Sequence, residues 1–114
     1  IRVKSVIGRF LEHSRIAVFG NGRQLPHNGA KVFISSADWM PRNLDNRVEV
    51  ITPVYDSRIK EDLWKVIDFG LRGNCQGSVV DGSGKNCLWT TDTEESFRSQ
   101  EELYKYYKSH ITND

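Results

Sequence analysis

Cysteine is scarce in this sequence, with Cys75 and Cys87 the only two. They stand twelve positions apart with no CxxC spacing and no histidine close by in sequence, so a tetrahedral zinc site lacks ligands. Two free thiols are the plain reading, and a disulfide across the glycine-rich stretch between them is the alternative. Long apolar runs are also missing: nothing approaches the roughly 18 residues that a membrane-spanning helix needs. There is no internal repeat, low-complexity tract or flexible linker, which excludes solenoids and tethers. The chain opens inside a strand-like run without an initiator methionine, and we expect a fragment of a longer protein that forms a single domain over residues 1–114.

The charge is nearly balanced at +1, but it is unevenly spread. Residues 1–47 carry eight Lys/Arg against three Asp/Glu, whereas residues 48–114 carry eight against twelve. An anionic ligand is therefore favoured on the first part. Nucleic acid would meet that test too. However, the basic part lacks a lysine-rich run, and its aromatics sit in apolar runs rather than between the basic residues.

Alternation over residues 3–7 suits a partly buried strand ending at Gly8, with Phe10 and Leu11 as core anchors. Residues 14–19 read as a second strand, apolar enough to be buried on both faces. Gly20-Asn21-Gly22 signals a turn, and residues 31–35 form the return strand of an antiparallel hairpin. Residues 47–53 give a fourth strand that Pro53 closes. Asp56 or Ser57 can cap a helix with apolar residues at 59, 63, 66 and 67, and Gly70 and Gly73 can stop it. Residues 74–98 are turn-rich, with short strands over 78–80 and 88–90. A capping-box pattern at Ser99-Gln100-Glu101-Glu102 opens an outer, amphipathic last helix.

The hairpin gathers polar residues that a bare strand has no reason to keep. An imidazole such as that of His13 can donate a proton or hydrogen bond to a phosphate oxygen and take it back. Its alternative role is that of a strand-end histidine satisfied by a backbone carbonyl. Arg15 shares its strand face and can bind phosphate bidentately or pair with Asp38 or Glu49. Ser36 can offer its hydroxyl or N–H to phosphate, or cap the turn after its strand. Asp38 reads as a structural acceptor for nearby N–H groups or for Arg15. Arg42 and Asn43 can reach a ligand or lock the turn at Pro41. Arg9 and Arg47 add basic field. His27 and His110 read as surface residues without a role, and Phe10, Phe33, Trp39 and Met40 as core.

Two blocks, Gly8-Arg9-Phe10-Leu11-Glu12-His13-Ser14-Arg15-Ile16 and Ile34-Ser35-Ser36-Ala37-Asp38-Trp39-Met40-Pro41-Arg42-Asn43-Leu44-Asp45, carry a strong resemblance to the C-terminal end of the bacterial polyphosphate kinases that synthesise long chains. Arg47-Val48-Glu49, the Thr52-Pro53 turn and the helix after Asp56 follow in register; the likeness is close over residues 1–73 and loose beyond. It implies an α/β fold, a phospholipase-D-like mixed β-sheet flanked by helices, of which this chain is most of the second of two similar domains. His13-Ser14-Arg15 then stands where the superfamily has H-x-K, with arginine for lysine. Ser35-Ser36-Ala37-Asp38 stands where it has G-S-x-N, with aspartate for asparagine. Gly20 occupies the place of the superfamily's acid. These departures argue against a homodimeric phosphodiesterase and suit phosphoryl transfer.

The resemblance further implies reversible transfer of the terminal phosphate of ATP to inorganic polyphosphate, with magnesium held mainly by upstream domains. The phosphohistidine nucleophile would lie in an upstream domain, and the isolated chain would be inactive. His13 would be the second active-site histidine, with Arg15, Ser36, Arg42 and Asn43 among the phosphate-binding groups. Homo-oligomerisation of the full-length enzyme, a cytoplasmic location (membrane association left open) and no nucleic-acid partner complete the expectation. A nucleic-acid-binding module remains the rival from another class.

Overall fold

In the computed structural model, which describes residues 2–85 and 87–112, the elements run in this order: β1 (Lys4–Ser5), β2 (Ile16–Phe19), β3 (Lys31–Ser35), α1 (Pro41–Leu44), β4 (Ile51–Val54), α2 (Ser57–Arg72), β5 (Ser78–Val79) and α3 (Ser99–Thr112). They fall into two compact units, one of residues 13–65 and one of the described residues of 1–12 and 66–114. Among the described residues no helix is long and apolar enough to cross a membrane.

The unit of residues 13–65 is built on an antiparallel sheet in the order β2-β3-β4. Val18, Val32 and Val54 stand opposite one another across it, so β-branched side chains pack in one row with Val32 buried. The turn after β2 puts Asn21 at φ 53° and Gly22 at φ 82°, and the Arg23 N–H donates to the Gly20 carbonyl at 3.1 Å. Two left-handed central residues are what a tight reversal of this hand requires, which explains the Asn-Gly pair. His27 staples the rest of the loop: its Nδ1 accepts from the Gly29 N–H at 3.0 Å, so Nε2 carries the proton and donates to the Gly20 carbonyl at 2.5 Å. α2 starts where expected, because the Asp56 carboxylate accepts from the N–H groups of Arg58 and Ile59 at 2.9 and 3.2 Å. Its Lys60 donates to the Ala30 carbonyl at 2.9 Å.

In the other unit, the later part of α2 presents Phe69 edge-on to Phe97 and to Tyr106 of α3, with centroids 5.3 and 6.0 Å away. Trp89 is buried and satisfies its indole N–H on the Leu71 carbonyl at 3.0 Å. Lys4, on β1 paired with β5, reaches the carbonyls of Gly70 and Gly73 at 2.5 Å each and caps the C-terminal end of α2 with a positive charge. Burial lowers its pKa, partly offset by the charge of Glu12. Gly77 is small of necessity, since a β-carbon there would collide with the Lys4 stem. Asn74 ties down the turn-rich stretch, accepting from the Phe97 N–H at 2.9 Å and donating to the Glu95 carbonyl at 2.8 Å.

Several expectations are corrected. β1 is two residues long rather than five, and Val6 and Ile7 are exposed. β2 alternates between half-buried and exposed residues instead of being buried on both faces, because no described element of its unit covers Ala17 and Phe19. β4 starts at Ile51, and Pro53 lies within it; β4 pairs only with β3, so an edge position accommodates a residue that has no N–H. Gly70 lies inside α2, and Gly73 alone follows its end. Phe10, Leu11 and Trp39 are 67%, 82% and 95% exposed, and Met40 is exposed as well, so none of them is core. Phe33 is half-buried against Phe19, and the buried tryptophan is Trp89. His27 is half-buried and bonded through both ring nitrogens, not idle at the surface. Both cysteines are free.

Candidate functional site

The site residues on the hairpin gather in the unit of residues 13–65. His13 lies three residues before β2 and is exposed. The register places the Arg15 carbonyl against the Ser35 N–H at 3.0 Å, which brings the start of β2 beside the end of β3. Across that junction Arg15 clasps Asp38 with two parallel hydrogen bonds, Nε to Oδ1 at 2.5 Å and Nη2 to Oδ2 at 3.1 Å. The bond from Arg15 holds the Asp38 carboxyl below the usual carboxylate range, and the charges of Arg15, Arg42 and His13 lower it further. The same clasp raises the guanidinium pKa of Arg15. His13, Arg15, Asp38 and Arg42 thus form one electrostatic cluster.

Ser36 and Glu49 make the next layer. The Ser36 hydroxyl donates to the Glu49 carboxylate and accepts from the Val50 N–H at 3.0 Å, while the Ser36 N–H donates to the Val50 carbonyl at 3.0 Å. Both donors of Ser36 are therefore occupied by the segment leading into β4, and a phosphate would have to displace one of them. Pro41 at the first position of α1 sets its start, with Met40 extended before it at ψ 147°. That turn leaves Arg42 exposed and buries Asn43, whose Nδ2 has no partner among the described residues. A buried amide donor without an acceptor is costly, so the Asn43 amide is available to a hydrogen-bond acceptor brought to it. Arg47 is exposed in the loop before β4, and Arg9 belongs to the other unit.

No three His, Cys, Asp or Glu side chains converge to hold a metal among the described residues. The two carboxylates nearest the cluster are engaged by Arg15 and Ser36. Among the described residues no set of free carboxylates gathers beside the cluster to hold magnesium. The arrangement offers instead an exposed imidazole and an exposed guanidinium beside an internally neutralised Arg–Asp pair, which can receive phosphate oxygens through charge-assisted hydrogen bonds.

The model of the family described as polyphosphate kinase C-terminal domain 2 matches residues 1–100. The chain belongs to that family. Polyphosphate kinase of Escherichia coli K12 is 37% identical over 109 residues, covering 96% of this chain and 15% of that protein. Polyphosphate kinase of Campylobacter jejuni subsp. doylei is 39% identical over 106 residues, covering 93% of this chain and 14% of that protein. The crystal structure of polyphosphate kinase from Porphyromonas gingivalis superposes with a TM-score of 0.86 at 36% identity, covering 99% of this chain and 17% of that one. This chain spans about a sixth of the length of the polyphosphate kinases it matches. The α/β, phospholipase-D-like fold class is borne out, and neither the homodimeric phosphodiesterase nor the nucleic-acid module is favoured.

His27 and Glu49 are the residues that the sequence reading undervalued. His27 follows Pro26 in a loop rich in asparagine and glycine, where an imidazole is well suited to bridging backbone groups; that was its only signal. Glu49 was considered as a partner for Arg15, but it holds Ser36 instead.

Proposed function

We propose that this chain is the C-terminal, second phospholipase-D-like domain of a polyphosphate kinase and supplies half of its phosphoryl-transfer site. The substrates would be ATP and inorganic polyphosphate, and the reaction a reversible transfer of the terminal phosphoryl group through a histidine of an upstream domain. Magnesium, if it accompanies the nucleotide, would be held mainly by the upstream domains. The observation that carries this reading is the cluster at the end of the hairpin: exposed His13 and Arg42, whose charges both act on Asp38, with Asp38 fixed by the Arg15 clasp.

In such a transfer the transition state spreads negative charge over the equatorial phosphate oxygens, so catalysis rests on positioned donors more than on covalent help. His13 would donate a hydrogen bond, or a proton, to a non-bridging or leaving oxygen and recover the proton in the reverse direction. Arg42 would add a fixed positive charge. Arg15 would act as a positioning residue, because its fork is taken by Asp38, and it would meet phosphate only through the nitrogen left over. Ser36 would bind phosphate after releasing Glu49, and Asn43 would contribute after finding an acceptor in a neighbouring domain. In the full-length enzyme, a homo-oligomer on this reading, His13→Gln should lower ATP-dependent polyphosphate synthesis by about 10²-fold or more with its thermal melting unchanged. Wild-type synthesis by that variant would end the assignment of His13.

A further inference from the structure

The unit formed by residues 1–12 and 66–112 encloses a groove of about 760 Å³, and none of the residues of the hairpin cluster lines it. That volume lies inside the roughly 300–1,000 Å³ range of small-molecule sites. Its walls include two open aromatic rings, Phe10 and Tyr104, each about two-thirds exposed at 67% and 66%. Each ring has a cation near it: the Arg9 guanidinium 5.6 Å from the Phe10 centroid and the Lys108 ammonium 5.8 Å from that of Tyr104. Arg98 and Lys105 line the same groove, Lys105 being paired with Glu102 at 3.2 Å, and Glu101 is the groove's carboxylate. This gathering of cations runs against the surroundings, since residues 48–114 as a whole are acidic.

We infer that this groove is a second, separate binding site whose ligand is a nucleoside polyphosphate. A bare phosphate chain would use the cations and leave the rings without a partner. A base stacks on an exposed aromatic ring regardless of its identity, while its phosphates pair with arginine and lysine. The wall is also built rather than incidental. The Gln100 side chain accepts from the Phe10 N–H at 3.0 Å and donates to the Phe10 carbonyl at 2.7 Å, which fixes the segment carrying the first ring against the helix carrying the second. Gly8 leaves room for that clamp, because a β-carbon there would overlap the Gln100 amide.

The test is a fluorescence titration of trinitrophenyl-ATP into the 114-residue chain carrying both His13→Gln and Arg42→Gln, so that the two exposed groups of the hairpin cluster are removed whether or not their assigned roles are right. ATP should displace the probe, and inorganic tripolyphosphate and adenosine should each do so more weakly than ATP. Arg98→Gln should weaken binding about tenfold through loss of a charge-assisted contact. Tyr104→Ala should weaken it about tenfold through loss of stacking. Glu101→Gln should strengthen binding, and that gain cannot arise from unfolding. Binding unchanged by both Arg98→Gln and Tyr104→Ala overturns the site. Displacement by tripolyphosphate as effective as by ATP overturns the nucleotide assignment in favour of a plain polyanion groove.

Discussion

Arg15 had two futures in the sequence, ligand or ion pair, and the side chain of Asp38 decides between them. The guanidinium fork matches a carboxylate bidentately, and a lysine at 15 or an asparagine at 38 would not reproduce that match. The residues at 15 and 38 therefore act as a unit, and changing either one leaves the other without its match. Because the folded-state pKa of Asp38 is depressed, its contribution to stability is present above its unfolded value of about 3.9 and is lost as pH falls through the lower folded value. The melting temperature of wild type should exceed that of Asp38→Asn at neutral pH, and the difference should shrink as acid protonates Asp38. A pH-independent difference would mean that the charge of Asp38 is not what holds Arg15. Asp38→Asn in the full-length enzyme should also reduce synthesis by loosening Arg15, with Asp38→Glu restoring more activity than Asp38→Asn.

At the level of elements, the turn after β2 gives the clearest case. Gly22 sits at φ 82° with nothing within 4 Å of where a β-carbon would be, so the cost of a side chain there is conformational alone. Gly22→Ala should destabilise the chain by about 1 kcal/mol, read from urea unfolding. No loss would show that the turn readily adopts another form. Local signals of this kind were legible in advance: Asn21-Gly22 as a reversal, residues 31–35 as a strand, Asp56 as the cap of α2, and a last helix from Ser99. What could not be read was burial. Trp39 precedes Met40 and Pro41 in an extended segment that no described element covers, whereas Trp89, in a stretch with little periodicity, became core by reaching the Leu71 carbonyl. Periodicity reports which face of an element is apolar, but it cannot say whether anything lies on that face. The candidate site was legible as a set of residues. Its internal pairing was not, because Glu49 and Asp38 were equivalent partners for Arg15 until the register of β2 on β3 separated them.

The molecule as a whole buries little. Ala30, Val32, Phe69 and Trp89 are its buried apolar residues among those described, while Trp39, Val48 and Tyr55 stand almost wholly in water. Trp39 should therefore dominate the iodide-quenchable tryptophan emission of the chain, and Trp39→Phe should remove most of that quenching while leaving the emission of half-buried Trp64 and buried Trp89. Equal quenching in the two proteins would place Trp39 under cover. The clamp made by Gln100 carries a different kind of consequence. It grips a peptide group and ignores the ring attached to it, so position 10 can change its side chain without moving the wall it belongs to. Evolution, or a protein engineer, is thus free to retune what that wall attracts while the scaffold beneath stays as it is.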